Sequence, residues 1–161
     1  MARQNELNFD GSITQVEYQA TETVANAPFR EFEMRLCHTP LTELTTSFSG
    51  NYGGRTPVLV ASANPLILNT TADQWFALAC SPAFAYNNAD SLLVEVRWRN
   101  AQTETAVPVW GYVAANNRTL YATDYNASSG SVSPKTDRLR ITYEEAGVAG
   151  TSLGRVRALF R

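Results

Sequence analysis

The chain has 161 residues, of which 44% are hydrophobic and 11% aromatic, and this length and composition suffice for one domain with a packed core. The formal net charge is -2 and the basic residues form no cluster, which argues against a nucleic-acid-binding protein, because such proteins concentrate Lys and Arg to neutralise phosphates. No apolar run of about 20 residues is present, so the sequence predicts no membrane-spanning helix.

Short segments of alternating apolar and polar residues follow one another along the chain, with turn-forming residues between them. The sequence therefore predicts an all-β protein, an antiparallel, jelly-roll-like β-sandwich of about eight strands. The predicted strands span 12–20, 29–38, 57–61, 74–80, 91–99, 107–114, 119–123 and 137–144. The single helix that we predict is a short one within 40–48, where Leu41, Leu44 and Phe48 would share a face.

The 91–99 segment has the clearest strand period in the chain. Leu92, Val94, Val96 and Trp98 fall on one side, and Leu93, Glu95, Arg97 and Arg99 fall on the other. We expect the first side, Trp98 included, to pack in the core and the second side to face water. The residues from Ser81 to Asp90 predict a polar turn that leads into this strand.

The chain is predicted to divide into a β-sandwich domain at 1–146 and a hinge with a strand-like tail at 147–161. Small residues at 146–150 predict the hinge. In the tail, three apolar residues alternate with mostly basic ones, which is a strand period. The apolar set is Val156, Ala158 and Phe160, and the alternating set is Arg155, Arg157, Leu159 and Arg161.

Cys37 and Cys80 both lie in predicted strands. Buried free thiols are the common state of such cysteines, and a disulfide between them is the alternative that an extracellular location would favour.

Some motifs typical of catalytic sites occur in the sequence, but each lacks the neighbouring residues or structure that catalysis requires. Residues 150–154 match the Gly-x-Ser-x-Gly nucleophile elbow, but too little chain follows for the helix that this motif needs, and the sole histidine, His38, precedes the serine. His38 has no second histidine nearby in the sequence for a zinc site. Glycoside hydrolysis by paired carboxylates stays open but disfavoured, the candidates being Glu33, Glu95, Glu144 and Glu145. We expect no enzyme and no cofactor.

Three kinds of binding or modification site remain as alternatives. Calcium could bind oxygen ligands in two turns, although turn formation alone explains their residues, which are Asn87, Asn88, Asp90, Asp124 and Asn126. Three acceptor motifs for N-glycosylation predict exposed turns at Asn69, Asn117 and Asn126. Flat aromatic side chains could form a platform that stacks on sugar rings, with Trp110, Tyr121 and Tyr125 as its residues.

Several motifs together resemble a jelly-roll β-sandwich module of secreted and cell-surface proteins from Bacteroidetes and related candidate phyla, many of them exported by the type IX system. The most specific is a Pro-x-Phe-x-Tyr segment at 82–86 that leads into a Leu-Val-Glu-Val strand. The other matching segments are Glu6-Leu7, Gly11-Ser-Ile-Thr14, Phe32 to Thr39, Tyr52-Gly-Gly54, Trp75-Phe-Ala-Leu78 and Arg138-Leu-Arg-Ile141.

The resemblance implies an extracellular location and a structural or adhesive role, with no shared catalytic residues. The chain departs from the pattern at both ends. The apolar segment that usually precedes the Glu-Leu pair is replaced by Met1-Ala-Arg-Gln-Asn5, so we expect a shortened first strand, and the tail ends the sequence where another domain usually follows.

Our leading expectation is a non-enzymatic extracellular subunit of a filament or other surface assembly, joined head to tail by exchange of the terminal strand. The residues expected at that contact are Leu153, Arg155, Val156, Arg157, Ala158, Leu159 and Phe160. A carbohydrate-binding or adhesion module is the alternative. Docking of the tail within its own subunit also stays open, and a viral capsid jelly roll is disfavoured because the chain lacks a basic arm.

Overall fold

A computed structural model describes residues 1–99 and 106–145, together with the backbone of Arg155–Ala158. Within these residues the protein is a mostly antiparallel β structure with several sheets packed together, which confirms the predicted all-β sandwich. The predicted hinge at 146–150 lies outside the described residues.

Every predicted strand overlaps an observed one, and the strand at 91–99 has the predicted bounds. The elements are α1 (Gln4–Leu7), β1 (Gly11–Gln19), β2 (Val24–Thr39), a 3-10 helix (Ser49–Tyr52), β3 (Val58–Ala63), β4 (Leu66–Thr70), β5 (Trp75–Tyr86), β6 (Ser91–Arg99), β7 (Gly111–Val113), β8 (Thr119–Tyr121), β9 (Ser131–Ser133), β10 (Lys135–Asp137), β11 (Leu139–Glu145) and β12 (Arg155–Ala158). The sequence missed α1, β4, β9 and β10.

Two main sheets form the sandwich. Sheet 1 has the strand order β12-β11-β1-β5. In sheet 2 the long strand β2 is central: β3 and β4 follow one another along one of its edges, and β6 pairs with its other edge. Among the described strands, β6 is therefore an edge strand.

The core lies between the two sheets. Because side chains alternate along a strand, every second residue of each central strand faces inward. Sheet 1 contributes Ile13, Val16 and Ile141, and β2 contributes Phe32, Met34 and Leu36.

The segment at 40–48 contains no helical turn, and the 3-10 helix follows directly after it. The buried Asn51 accounts for this conformation, because its side chain replaces the hydrogen bonds that a helix would make. Its Oδ1 accepts from the Thr45 N–H at 2.8 Å, and its Nδ2 donates to the Thr45 carbonyl at 3.0 Å. Its own carbonyl accepts a 2.7 Å hydrogen bond from the Thr39 hydroxyl.

The prediction that one face of β6 is in water is wrong. Leu93 and Glu95, both on the side expected to be wet, are each only 8% exposed. Leu93 belongs to a second hydrophobic cluster, on the side of sheet 2 that faces away from sheet 1. The other members of this cluster are Met1, Cys37 and Leu44, with Tyr52 and Leu120 packed against them. The first half of β6, through Glu95, is thus covered on both faces.

The expected core position of Trp98 is also wrong. This side chain is 45% exposed, although it lies on the inward-facing side of β6. It meets the Phe29 ring edge to face, with the ring centroids 5.6 Å apart. An inward-facing residue of β6 therefore still contacts solvent at this end of the strand.

The polar turn predicted at 81–90 is shorter than expected. Residues 81–86 belong to β5, where a register shift against β1 sets Phe84 opposite Ile13. The turn occupies 87–90, and the Tyr86 hydroxyl closes it by donating to the Asp90 carbonyl at 2.6 Å.

Candidate functional site

The outer edge of β6 is largely unpaired. Its only described backbone partner there is Ala2, which exchanges two 2.9 Å hydrogen bonds with Leu92 at the start of the strand. In an antiparallel strand the backbone groups of every second residue point to the same edge. The N–H and C=O groups of Val94, Val96 and Trp98 therefore point away from β2, and no described residue pairs with them.

A cavity of about 610 Å³ lies alongside this edge, and we call it the β6 groove. Side chains from both faces of β6 line it, since it includes Val94, Val96 and Trp98 as well as Leu93, Glu95 and Arg97. All eight residues of the 118–125 segment contribute further lining. The groove thus combines an unpaired strand edge with a mainly apolar surface.

Aromatic side chains dominate the part of the groove that opens between the sheets. Tyr18 and Phe76, from neighbouring strands of sheet 1, stack with ring centroids 5.9 Å apart. Phe29 and Phe32 of β2 contribute from sheet 2. Burial raises the pKa of the Tyr18 hydroxyl above its usual range, so this group stays protonated at neutral pH.

A polar cluster lies on the other face of β6. The Tyr52 hydroxyl donates to one Glu95 carboxylate oxygen at 2.5 Å, and the Arg97 Nε donates to the other. Burial, followed by the hydrogen bond to Glu95, raises the pKa of Tyr52 to about 12. Since Glu95 already has two partners, this cluster positions β6 against the 3-10 helix and offers no free nucleophile or base.

The N-terminal residues lie beside the start of the groove. The Met1 ammonium donates to the Arg118 carbonyl at 2.9 Å, and the Arg118 Nε donates to the Met1 carbonyl at 3.0 Å. Arg118 also pairs with the Glu6 carboxylate. Burial, with the Arg118 charge beside it, lowers the pKa of the Met1 amino group to about 5.

Two carboxylates, Asp124 and Asp137, also line the groove. Among the described residues neither has a basic side-chain partner within ion-pair distance. The Asp124 Oδ1 accepts a 2.9 Å hydrogen bond from the Asn126 N–H, which forms the turn there. Burial raises the pKa of Asp137, and the charge of the nearby Met1 amino group opposes this shift.

The structure places the strand-like tail within its own subunit. Residues Arg155–Ala158 form β12, the outermost strand of sheet 1, and pair antiparallel with residues 140–143 of β11. Four of the predicted assembly residues, Arg155, Val156, Arg157 and Ala158, thus lie in β12. The other three, Leu153, Leu159 and Phe160, lie outside the described residues.

Both cysteines are free in the structure, and they pack against different hydrophobic clusters. Cys37 belongs to the cluster on the outer side of β6, and Cys80 packs against the core between the sheets. Burial raises the pKa of both thiols, to about 11 for Cys80, so neither is an activated nucleophile.

Two of the three predicted platform aromatics, Tyr121 and Tyr125, line the β6 groove. Tyr121 is 57% exposed, and the Arg99 guanidinium lies over the Tyr125 ring, 4.9 Å from its centroid. Trp110 lies elsewhere: its Nε1 donates to the Asp73 carboxylate at 2.8 Å. The structure therefore does not bring the three together, and Trp98, which the sequence assigned to the core, lines the groove instead.

The three glycosylation motifs differ in setting. Asn69 lies in β4, and its side chain is exposed while its Oδ1 accepts from the Asn26 N–H at 2.9 Å. Asn126 is exposed in a turn. Asn117 is half-buried, which corrects the expectation of a fully exposed turn at this position.

The remaining polar candidates have structural partners. Asn87 bonds within its own turn, donating to Asp90 at 2.9 Å, and Glu33 pairs with Arg35 at 2.8 Å. Glu144 and Glu145 are exposed on sheet 1, away from Glu33 and Glu95 of sheet 2. Within the described part of the chain, no three His, Cys, Asp or Glu residues are grouped where they could hold a metal ion.

The fold and site together define a β-sandwich with an aromatic groove beside an unpaired strand edge. Comparison with known protein families, with curated proteins and with solved structures finds no match. The resemblance to secreted sandwich modules accordingly stays a prediction. None of the described helices is long and apolar enough to span a membrane.

Proposed function

We propose that the protein is a non-enzymatic structural subunit of an extracellular filament or other surface assembly, in which copies are joined head to tail by exchange of the last strand. The observation that carries this proposal is the position of β12. It is a four-residue outermost strand, and among the described strands its only neighbour in the sheet is β11.

An element of this kind is suited to exchange between copies. Its pairing with β11 involves only residues 140–143, so its release disrupts no other strand pair of the sheet. Residues 146–154 connect it to β11, and this length of chain can redirect the strand to a neighbour. The extracellular location rests on the resemblance of the sequence to secreted modules.

Deletion of residues 151–161 tests the proposal. We expect the full chain to form oligomers or filaments that light scattering and negative-stain electron microscopy detect. The deletion should give a monomer whose circular dichroism still shows β structure. An unchanged assembly state after deletion, or a full chain that stays monomeric at every concentration, would contradict the proposal.

A second candidate function is carbohydrate binding, favoured by Tyr121, Tyr125 and Trp98 in the groove, since aromatic faces stack on sugar rings. A glycan array with the full chain would detect such binding. Tyr121→Ala should abolish it, while Trp110→Ala, which removes an exposed aromatic outside the groove, should not. An array without hits removes this candidate.

A further inference from the structure

The β6 groove has the features of a receiving site for an extended segment. We infer that, in the assembly proposed above, residues 155–161 of one copy add to the unpaired edge of β6 in the next copy and fill its groove. This inference rests on the proposed function and names the surface that accepts the exchanged strand.

The first reason is the unsatisfied backbone of β6. Three residues, Val94, Val96 and Trp98, direct their N–H and C=O groups toward the groove without a described partner. Val94 and Val96 are half-buried residues. An added strand would supply the missing hydrogen bonds, which is how strand addition gains most of its affinity.

The second reason is length. The part of the edge without a described partner runs from Val94 to Trp98, which at about 3.3 Å per residue spans roughly 16 Å. The segment 155–161 has seven residues and reaches roughly 23 Å when extended. One segment can therefore cover the open edge without a turn.

The third reason is the match in character. In an extended strand Val156, Ala158 and Phe160 fall on one side, and the groove offers an aromatic surface for that side at Tyr18, Phe76 and Trp98.

Charge adds a fourth reason. The donor segment carries three arginines at 155, 157 and 161, and the groove carries Asp124 and Asp137. Arginine pairs well with carboxylates at such contacts.

Hydrogen–deuterium exchange of the full chain, measured over a range of protein concentrations, tests the inference. We expect the amides of residues 92–99 to exchange more slowly in the assembly than in the dilute monomer. Protection of residues 139–145 alone would instead place the exchanged strand on β11 of the neighbour. That result overturns the groove as receiving site and leaves strand exchange intact.

A substitution that fills the groove gives an independent test. Ala122 is an exposed groove residue, so Ala122→Trp adds bulk there without removing a core contact. We expect it to raise the concentration needed for assembly at least tenfold. Ala115→Trp, at an exposed position in the connection between β7 and β8 and outside the groove, should change that concentration less than twofold. Equal behaviour of the two variants, both folded by circular dichroism, would overturn the inference.

A synthetic peptide of residues 151–161 keeps the inference testable even where Ala122→Trp does not fold. Added in excess to the full chain, it should slow exchange at 92–99 and reduce assembly, whereas a scrambled peptide should do neither. Protection at 92–99 that is equally strong in the dilute monomer, before peptide is added, would mean that the groove is filled within one chain, and this too would overturn the inference.

Discussion

His38, the only histidine in the chain, is held in its neutral form by its surroundings. Its Nε2 accepts a hydrogen bond from the Asn87 N–H at 3.2 Å, and its ring lies against Phe84 and Tyr86, with centroids 4.8 and 5.8 Å away. Burial lowers the pKa of His38, the Asp90 charge opposes this shift, and the Arg55 charge adds to it. Protonation would remove the acceptor that Asn87 uses.

This arrangement predicts a pH dependence of stability. Because the folded pKa lies below the unfolded value of about 6.5, the unfolded chain binds the proton more readily. The contribution of His38 is fully present above pH 6.5 and is lost as the pH falls through the folded pKa. Urea unfolding between pH 5 and 8 measures it.

His38→Gln provides the control for this measurement, because glutamine is polar but does not titrate. The pKa of the Met1 amino group is also lowered, so this group makes both proteins less stable as the pH falls. We expect the wild-type protein to lose more stability than the variant on acidification. Parallel curves would show that the imidazole contributes nothing.

Tyr52 supplies a second prediction at the scale of one residue. Tyr52→Phe removes the hydrogen bond to the buried Glu95 carboxylate while Arg97 remains as its partner. We expect the free energy of unfolding to fall by about 1 to 3 kcal/mol, the range for hydrogen bonds to charged groups. Tyr121→Phe, at an exposed hydroxyl, should change it by less than about 0.5 kcal/mol. Similar losses in both variants would count against a structural role for the cluster.

The first half of β6 is covered on both of its faces, and this gives a prediction at the scale of one element. Leu93→Ala should lower the free energy of unfolding by about 2 to 4 kcal/mol, because it removes a buried side chain from the second hydrophobic cluster, which contains Cys37 and Leu44. Val113→Ala, at a side chain that is 71% exposed, is the matched control and should have an effect near zero. Chemical denaturation measures both losses in free energy of unfolding. If Leu93→Ala costs as little as Val113→Ala, this face of β6 is solvated, as the sequence predicted.

Close approach of two strands gives another prediction at this scale. A Cβ at Gly11 would overlap the Glu144 carbonyl oxygen of β11, so only glycine fits between these backbones. We expect Gly11→Ala to destabilise the protein by about 3 kcal/mol or more. At Gly54 an added Cβ meets nothing within 4 Å, and Gly54→Ala should cost only the backbone strain of about 1 kcal/mol. Thermal unfolding that ranks the two in the opposite order would contradict this packing.

The location of β6 could be predicted from its period of two, but the burial of its faces could not. Alternation shows which residues share a side, and the charged residues Glu95 and Arg97 made one side look solvated. Tyr52 of the 3-10 helix and Leu120 of β8 cover that side. The sequence around these two residues has no pattern that predicts their contact with β6. Contacts between distant segments of irregular chain leave no local pattern in the sequence.

The candidate site was predictable only in part for a related reason. Tyr121 and Tyr125 were recognised as binding aromatics from their residue type alone. The groove itself depends on which strand edge lacks a neighbour, and strand order is not encoded in the alternation of any single strand. The hydrogen bond between Tyr52 and Glu95 joins residues 43 positions apart in the chain, so no local pattern in the sequence predicts it.

At the scale of the whole molecule, the proposed contact between copies joins arginines to carboxylates and should respond to salt. Raising NaCl from about 0.05 to 0.5 M shortens the screening length severalfold. We expect the concentration needed for assembly to rise severalfold, as measured by analytical ultracentrifugation. The double variant Asp124→Asn/Asp137→Asn should show a weaker salt dependence. Assembly that strengthens with salt in the wild-type protein would point to purely apolar contacts.

The strand that is given and the edge that receives it belong to different sheets, because β12 borders sheet 1 and β6 borders sheet 2. A contact between two unlike surfaces leaves one of each unused after every addition, so a linear assembly would have polarity. One end would present an empty groove and the other an unused tail. A chain without residues 151–161 could then stop growth at one end only, and the free peptide only at the other.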